Sequence, residues 1–197
     1  MIELSWQDRV AVVTLDRPEK HNALNTDLCE RIRGAFEAAR EARAVVVTGR
    51  GRSFCSGADL DGVYTADFLA ALYAMLRTVA DLPVPVIAAV NGAAIGAGTQ
   101  LAIAADFRVV APSARFAVPT AKIGLAVDPW TVGRLAVLAG NGVARRLLLA
   151  CDEVAADAAL ACGLADRAGS TEDALSWAEG MTALAPLTQA YSKRALN

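Results

Sequence analysis

The sequence predicts an α/β fold, strand-plus-helix units repeated along the chain and followed by a helical tail. Three observations predict it. Apolar, β-rich runs recur at Val10 to Leu15, Ala44 to Thr48, Val84 to Val90 and Phe107 to Ala111, separated by stretches of helical periodicity. The run at Ala44 to Thr48 is apolar on both alternating faces until Thr48, the pattern of a strand buried in a parallel sheet. From Trp130 onward the signals are mostly helical and alanine-rich, with breaks at Gly140, Gly142, Gly163 and Gly169.

Each element has its local reason. A turn at Gln7-Asp8 joins Ile2 to Trp6 and Val10 to Leu15 as a hairpin. Arg17 to Asn22 is a polar loop. Asn25 or Thr26 then caps a helix running to about Arg43, with Leu28, Ile32, Ala35, Phe36 and Ala39 on one face. Gly49-Arg50-Gly51-Arg52 is a second loop, and Phe54 to Leu60 is an irregular segment containing Gly57. A helix spans Ala66 to Ala80. Val84 to Ala105 splits into strand, glycine turn and helix. Phe107 to Ala111 is a strand with Phe116-Ala117 as a short partner, and the last helix starts near Pro186.

Composition excludes several function classes. The 197 residues are 55% hydrophobic and 20% charged, which is one globular domain with a full core. A net charge of −2 argues against general binding to nucleic acid or anionic membranes. Met1 to Leu15 carries Glu3, Asp8 and Arg9 and is no signal peptide. Leu82 to Ala105 lacks charge, yet Pro83, Pro85, Asn91, Gln100 and three glycines interrupt it, so it is no transmembrane span. Cys29, Cys55, Cys151 and Cys162 show no ligand spacing and His21 is the one histidine, so neither a metal site nor a disulfide framework is expected. A reducing, cytoplasmic setting is. A histidine-based nucleophile site would have to use His21, in a polar turn.

The segment richest in chemistry is Val84 to Val110. A strand feeding Gly96-Ala97-Gly98 at the start of a helix aims free backbone N–H groups and the positive end of a helix dipole at one point, where an oxyanion or phosphate binds. The alternative is a tight turn with close helix packing. Leu101 stands where a dinucleotide fingerprint needs its third glycine, and no Walker pattern occurs. Beside this turn Gln100 offers an amide where catalysis wants an acid or base.

At these residues the chain resembles the crotonase, or enoyl-CoA hydratase/isomerase, family over nearly its whole length. The matching segments are Val13 to Asn25, Phe54 to Leu60, Pro85 to Gly92 through Gly96-Ala97-Gly98, and Ala105-Asp106-Phe107-Arg108. The resemblance implies a spiral core of repeated ββα units over 1–185, a C-terminal helical segment beginning at 186–197, and assembly as a homotrimer or hexamer. It implies no resident cofactor, and a fatty acyl-CoA thioester as ligand, its carbonyl held between the N–H groups of Ser56 and Ala97. Lys20, Ala23, Ser56, Gly57, Ala58, Asp59, Gly98 and Trp130 match positions that line the acyl-CoA site. Trp130 lines the acyl pocket or is a core aromatic. Arg17, Lys20, Arg50 and Arg52 fall in loops near the CoA phosphates, or are solvated surface charges. Cys55 reads as a small packed residue.

Hydratases of this family use two glutamates, at positions that match Gln100 and Thr120, and neither residue can act as a carboxylate base. The expectation is acyl-CoA binding without hydration; the counter-reading has Gln100 orient a water and leave weak activity. Asp128 matches an aspartate used by dienoyl-CoA isomerases, whose partner glutamate falls at Thr120. It either shuttles a proton as an isomerase base or caps the helix that Pro129 begins. The Asp128-Pro129-Trp130 region and the Pro186 to Asn197 tail are similar to a mycobacterial, hydratase-inactive member linked to mycolic acid synthesis. That similarity implies lipid metabolism and lipid-synthesis enzymes as partners. Relatives continue beyond Asn197 with further helices over the acyl site, so an open pocket or altered subunit contacts is expected.

Overall fold

The computed structural model describes residues 1–59 and 65–197. Leu60, the end of the Phe54 to Leu60 segment, lies outside the described residues. The fold is α/β, as the alternation of strand and helix patterns predicts. A six-stranded sheet has the order β1-β2-β3-β5-β7-β10, made from Ile2–Gln7 (β1), Val10–Leu15 (β2), Ala44–Gly49 (β3), Val86–Val90 (β5), Phe107–Val110 (β7) and Arg167–Ala168 (β10). β1 and β2 form the antiparallel hairpin, in register from Ile2 opposite Leu15 to Gln7 opposite Val10. From β2 to β10 the pairings are parallel. A second, four-stranded sheet runs β4-β6-β8-β9, from Ser53–Cys55 (β4), Ala93–Ile95 (β6), Arg115–Ala117 (β8) and Glu153–Ala155 (β9).

Alternation along the central strands divides the core in two. Val13, Val45, Val47, Ala88 and Val90 face the helices α1 (Thr26–Ala38), α2 (Ala66–Asp81) and α3 (Ala97–Ala104). Val46, Ile87, Ala89 and Val109 face the other way, onto Ala174, Ala178 and Met181 of α6 (Thr171–Met181). Both faces are covered, which is why β3 and β5 read as continuous apolar runs. α3 is buried along its whole length.

Several boundaries differ from the sequence expectation. α1 ends at Ala38, not near Arg43. A 3₁₀ turn over Ala39–Glu41 follows, and Ala42 is extended (ψ 163°) so that Arg43 N–H reaches Arg9 O at 2.7 Å and delivers the chain into β3. Asn25 is the cap, its side chain accepting from Leu28 N–H. The helical tail also contains β9 and β10, strands of three and two residues, too short to show a period. α4 (Pro129–Arg145) is broken at Gly140 (φ 77°), whereas Gly142 continues as helix. α5 (Ala156–Cys162) and α7 (Pro186–Leu196) complete the described α-helices. Among the described residues no helix is long and apolar enough to cross a membrane.

α7 is tied to the core by charge. Lys193 is 9% exposed, and its ammonium donates to Asp106 Oδ2 at 2.7 Å and to Val84 O at 3.1 Å. Arg108 is 1% exposed and pairs with Asp166 at 2.8 Å while donating to Leu164 O at 2.6 Å.

Candidate functional site

The glycine turn before α3 packs on β4, β6 and β8 of the four-stranded sheet and shares a cavity with α2. Gly96 adopts φ 54°, ψ −115°, a conformation that favours glycine, and its N–H donates to Ala117 O at 2.7 Å. Thr99 fixes the turn from inside, its buried hydroxyl 2.6 Å from Ala94 O and 2.9 Å from Ala117 O. Gly98 meets β4 so closely that a Cβ there would sit 2.1 Å from Cys55 O. The glycine therefore serves the close packing of α3 on β4. Across from them Gly57 has φ 102°, and a Cβ on it would lie 2.8 Å from Ile95 O and 3.8 Å from Ala97 N. Glycine at 57 keeps clear the space in front of the Ala97 N–H. Among the described residues no acceptor engages that N–H.

Ser56 is placed beside Ala97, but its N–H donates to His21 O at 3.0 Å. His21 and Asn22 both have positive φ (51° and 58°), and the Asn22 side chain donates to Arg50 O at 3.0 Å and Ser53 O at 2.8 Å while accepting from Arg17 N–H at 2.9 Å. This fully buried asparagine clamps the two loops that the sequence brings near the site. An oxygen held by both Ser56 and Ala97 would share or displace the Ser56–His21 bond.

The turn opens on a cavity of about 200 Å³, lined by Ser56, Gly57, Ala58, Ala97, Gln100 and Thr120 among others. Its remaining walls come from α2 and from the 3₁₀ turn Pro119–Ile123 with the segment after it. Among the described lining residues there is no carboxylate, imidazole or amine; Tyr73 is the ionisable group. Burial pushes its phenol above the ordinary value, with the Asp128 charge adding to the effect, so it stays protonated at neutral pH.

Gln100 is 4% exposed and held by a network. Its amide Nε2 donates to Thr131 Oγ1 at 2.8 Å and to Asp128 Oδ2 at 3.3 Å. Asp128 is the N-cap of α4: Oδ1 accepts from Thr131 N–H at 3.1 Å and Oδ2 from the Thr131 hydroxyl at 2.5 Å. The capping geometry read from Asp128-Pro129 is therefore present, and three donors occupy the carboxylate. Asp128 and Trp130 line a second cavity of about 600 Å³, between α2, α4 and α7, and not the one at the glycine turn.

The remaining candidates are placed less directly. Asp59 pairs with Arg17 at 3.0 Å, and Arg17 also donates to Ala23 O at 3.1 Å, so these three brace the loop. Ala58 bridges Leu24 in parallel. Lys20 is exposed, and Arg50 is spent on Glu3 and Asp16. Cys55 is fully buried, its thiol pushed up to about 12 by burial, which fits a packed residue. Sequence reasoning missed Tyr73 and Thr131. Thr131 had a local signal, three residues after a capping aspartate with proline between. Tyr73 shares a helical face with Leu69, Leu72 and Leu76, but nothing in the sequence says what that face meets.

The comparisons agree with this architecture. A family model described as enoyl-CoA hydratase/isomerase matches residues 5–197. A probable enoyl-CoA hydratase of Mycobacterium leprae is 46% identical over 204 residues, covering 100% of this chain and 83% of that protein. A crotonyl-CoA hydratase of Syntrophomonas wolfei is 37% identical over 186 residues, covering 88% of this chain and 71% of its own. The crystal structure of an enoyl-CoA hydratase from Bacillus anthracis superposes with a TM-score of 0.89 at 30% identity, covering 99% of this chain and 81% of that one. On these matches and on the fold, this chain belongs to the enoyl-CoA hydratase/isomerase family.

Proposed function

We propose that this chain binds a fatty acyl-CoA thioester at the α3 glycine turn and does not hydrate it. The observation that carries the reading is the composition of the cavity wall: an unengaged Ala97 N–H at a helix N-terminus, with Gln100 and Thr120 in the lining and no carboxylate among the described lining residues. Backbone donors preorganised in an apolar cavity stabilise a thioester oxygen, and each such donor is typically worth ~10²–10³ in the rate of enolate chemistry. Without a base that stabilisation yields binding and polarisation alone. Gln100 donates to Thr131 and Asp128. It is thus held as part of the α4 cap, which disfavours the reading in which it aims a water.

A second reading, an enoyl- or dienoyl-CoA isomerase, is favoured by one distance: Asp128 Oδ2 lies 3.3 Å from Gln100 Nε2, one side chain removed from the cavity. The same proposal has the chain serve acyl-CoA metabolism in a reducing cytoplasm, supported by four free cysteines. It assembles as a trimer or hexamer, supported by Leu187 and Tyr191 of α7, which are 85% and 74% exposed. A role beside enzymes of mycolic acid or other lipid synthesis rests on the Asp128 to Trp130 segment and the 46% identical mycobacterial relative.

Calorimetric titration with acyl-CoAs, run beside a crotonyl-CoA hydration assay, tests the reading. Saturable binding with no turnover is expected, and hydration at rates ordinary for an enzyme would overturn it. Asp128→Asn separates the second reading: a double-bond shift in the wild type that this variant loses, with binding kept, would favour the isomerase.

A further inference from the structure

Tyr73 is the one described residue that lines both the 200 Å³ cavity at the glycine turn and the 600 Å³ cavity beyond it. On the near side its neighbours are Leu72, Gln100 and Val127; on the far side they are Leu76, Leu82, Asp128 and Trp130. With Gln100 it lines the near cavity and with Asp128 the far one, so the ring lies beside the same network that caps α4. We infer that the Tyr73 ring is the partition that sets how long an acyl chain this site accepts, the thioester being held at Ala97 and the chain running toward α2. The inference rests on the acyl-CoA reading above and names a specificity residue within it.

A short chain fills the near cavity and stops at the ring. A longer one needs the far cavity, whose apolar stretch is Leu76, Ala80, Leu82 and Trp130 and whose other walls include Arg77 and Asp81, and reaches it only when the ring is out of the way. Each methylene buried in an apolar cavity is worth about a fourfold gain in affinity. Affinity against chain length should therefore climb at that rate and flatten where the chain meets Tyr73.

Titration of the wild type with saturated acyl-CoAs from butyryl to stearoyl locates the break. In Tyr73→Ala the climb is expected to continue through several further methylenes, and in Tyr73→Leu through fewer. Tyr73→Phe keeps the ring and is expected to keep the wild-type break. Leucine at 73 retains apolar bulk on α2 and serves as the folded comparison if the alanine variant melts early. A break that stays at the same length in both the alanine and leucine variants overturns the partition, as does a phenylalanine variant that shifts it as far as alanine. Failure of the wild type to bind any chain length overturns the acyl-CoA reading itself, which is a different result from binding with an unmoved break.

Discussion

Gln100 and Asp128 meet across 3.3 Å between α3 and the start of α4, amide to carboxylate, with the Thr131 hydroxyl bonded to both. The arrangement is neutral donor to anionic acceptor, and it makes residue 100 a poor place to restore a glutamate. In Gln100→Glu two carboxylates would face each other with residue 100 only 4% exposed. Like charges at that distance disfavour ionisation, so the new carboxyl is raised above its unfolded value. Its contribution is then present at low pH and lost as pH rises through the raised value. The variant should lose about 2 kcal/mol at neutral pH, recover much of it under mildly acidic conditions, and still fail to hydrate crotonyl-CoA. Urea unfolding at the two pH values checks this. An unchanged neutral stability would mean the network is looser than the distances indicate.

The glycine turn makes a sharper claim about neighbouring positions. Gly98→Ala drives a Cβ to 2.1 Å from Cys55 O, a backbone atom that cannot move without shifting β4. Gly96→Ala meets nothing within 4 Å and has only its φ of 54° to overcome. The first should cost more than about 3 kcal/mol and the second about 1–2 kcal/mol. Thermal melts of the two variants settle the order. Equal losses would show that backbone conformation, not the approach of β4, dictates glycine at 98.

How far this was readable from the sequence depends on whether a residue's role is local. The strand at Ala44–Gly49 was legible because burial on both faces leaves a continuous apolar run, and the turn at Gly96 to Gly98 because glycine pairs at a strand-helix junction have few uses. Asp128 as a cap was legible from the proline that follows it. The bond from Gln100 to Thr131 joins residues 31 apart and leaves no periodic trace. The same is true of Tyr73 standing between two cavities. β10 is two residues long and exists through its pairing with β7, so no window on the sequence alone finds it.

Cys29 and Cys55 predict the alkaline behaviour of the fold. Burial pushes both thiols from 9.0 up to about 12, and for Cys29 the neighbouring Cys55 adds to the shift. A folded value above the unfolded one means the folded protein holds these protons longer. Their stabilising contribution is full below about 9 and is lost as pH rises from there toward about 12. Over that window each thiol lowers stability by about 1.4 kcal/mol per pH unit. Cys55→Ala should flatten the fall in unfolding free energy by about one thiol's share, and native protein should resist maleimide at these two positions near neutral pH. A variant with the wild-type alkaline slope would contradict the burial of Cys55.

Lys193 and Asp106 decide how firmly α7 is held. The ammonium lies 2.7 Å from Asp106 Oδ2, whose other donor is Val86 N–H, also at 2.7 Å. Burial pushes Asp106 up and Lys193 down, each opposed by the other's charge. Taking two charges out of water costs nearly what their attraction returns, so the pair as a whole adds little net stability. Removing one partner is different, because the survivor keeps its desolvation and loses its counter-charge. Lys193→Met should therefore cost about 3–5 kcal/mol, while Lys193→Met with Asp106→Asn recovers most of it. The sign with pH follows from the orphaned carboxyl: raised further above its unfolded value of 3.8, it favours the folded state when protonated and loses that contribution as pH rises. The single variant should thus be closer to wild type in mild acid than at neutral pH, and the double variant should show no such gap. Urea titrations of the three proteins at both pH values read this directly. A single variant within about 1 kcal/mol of wild type at neutral pH would mean that α7 does not depend on this pair, and that its other bonds, from Asn197 to Ala80 O and from Gln189 to Met181 O, suffice to hold it.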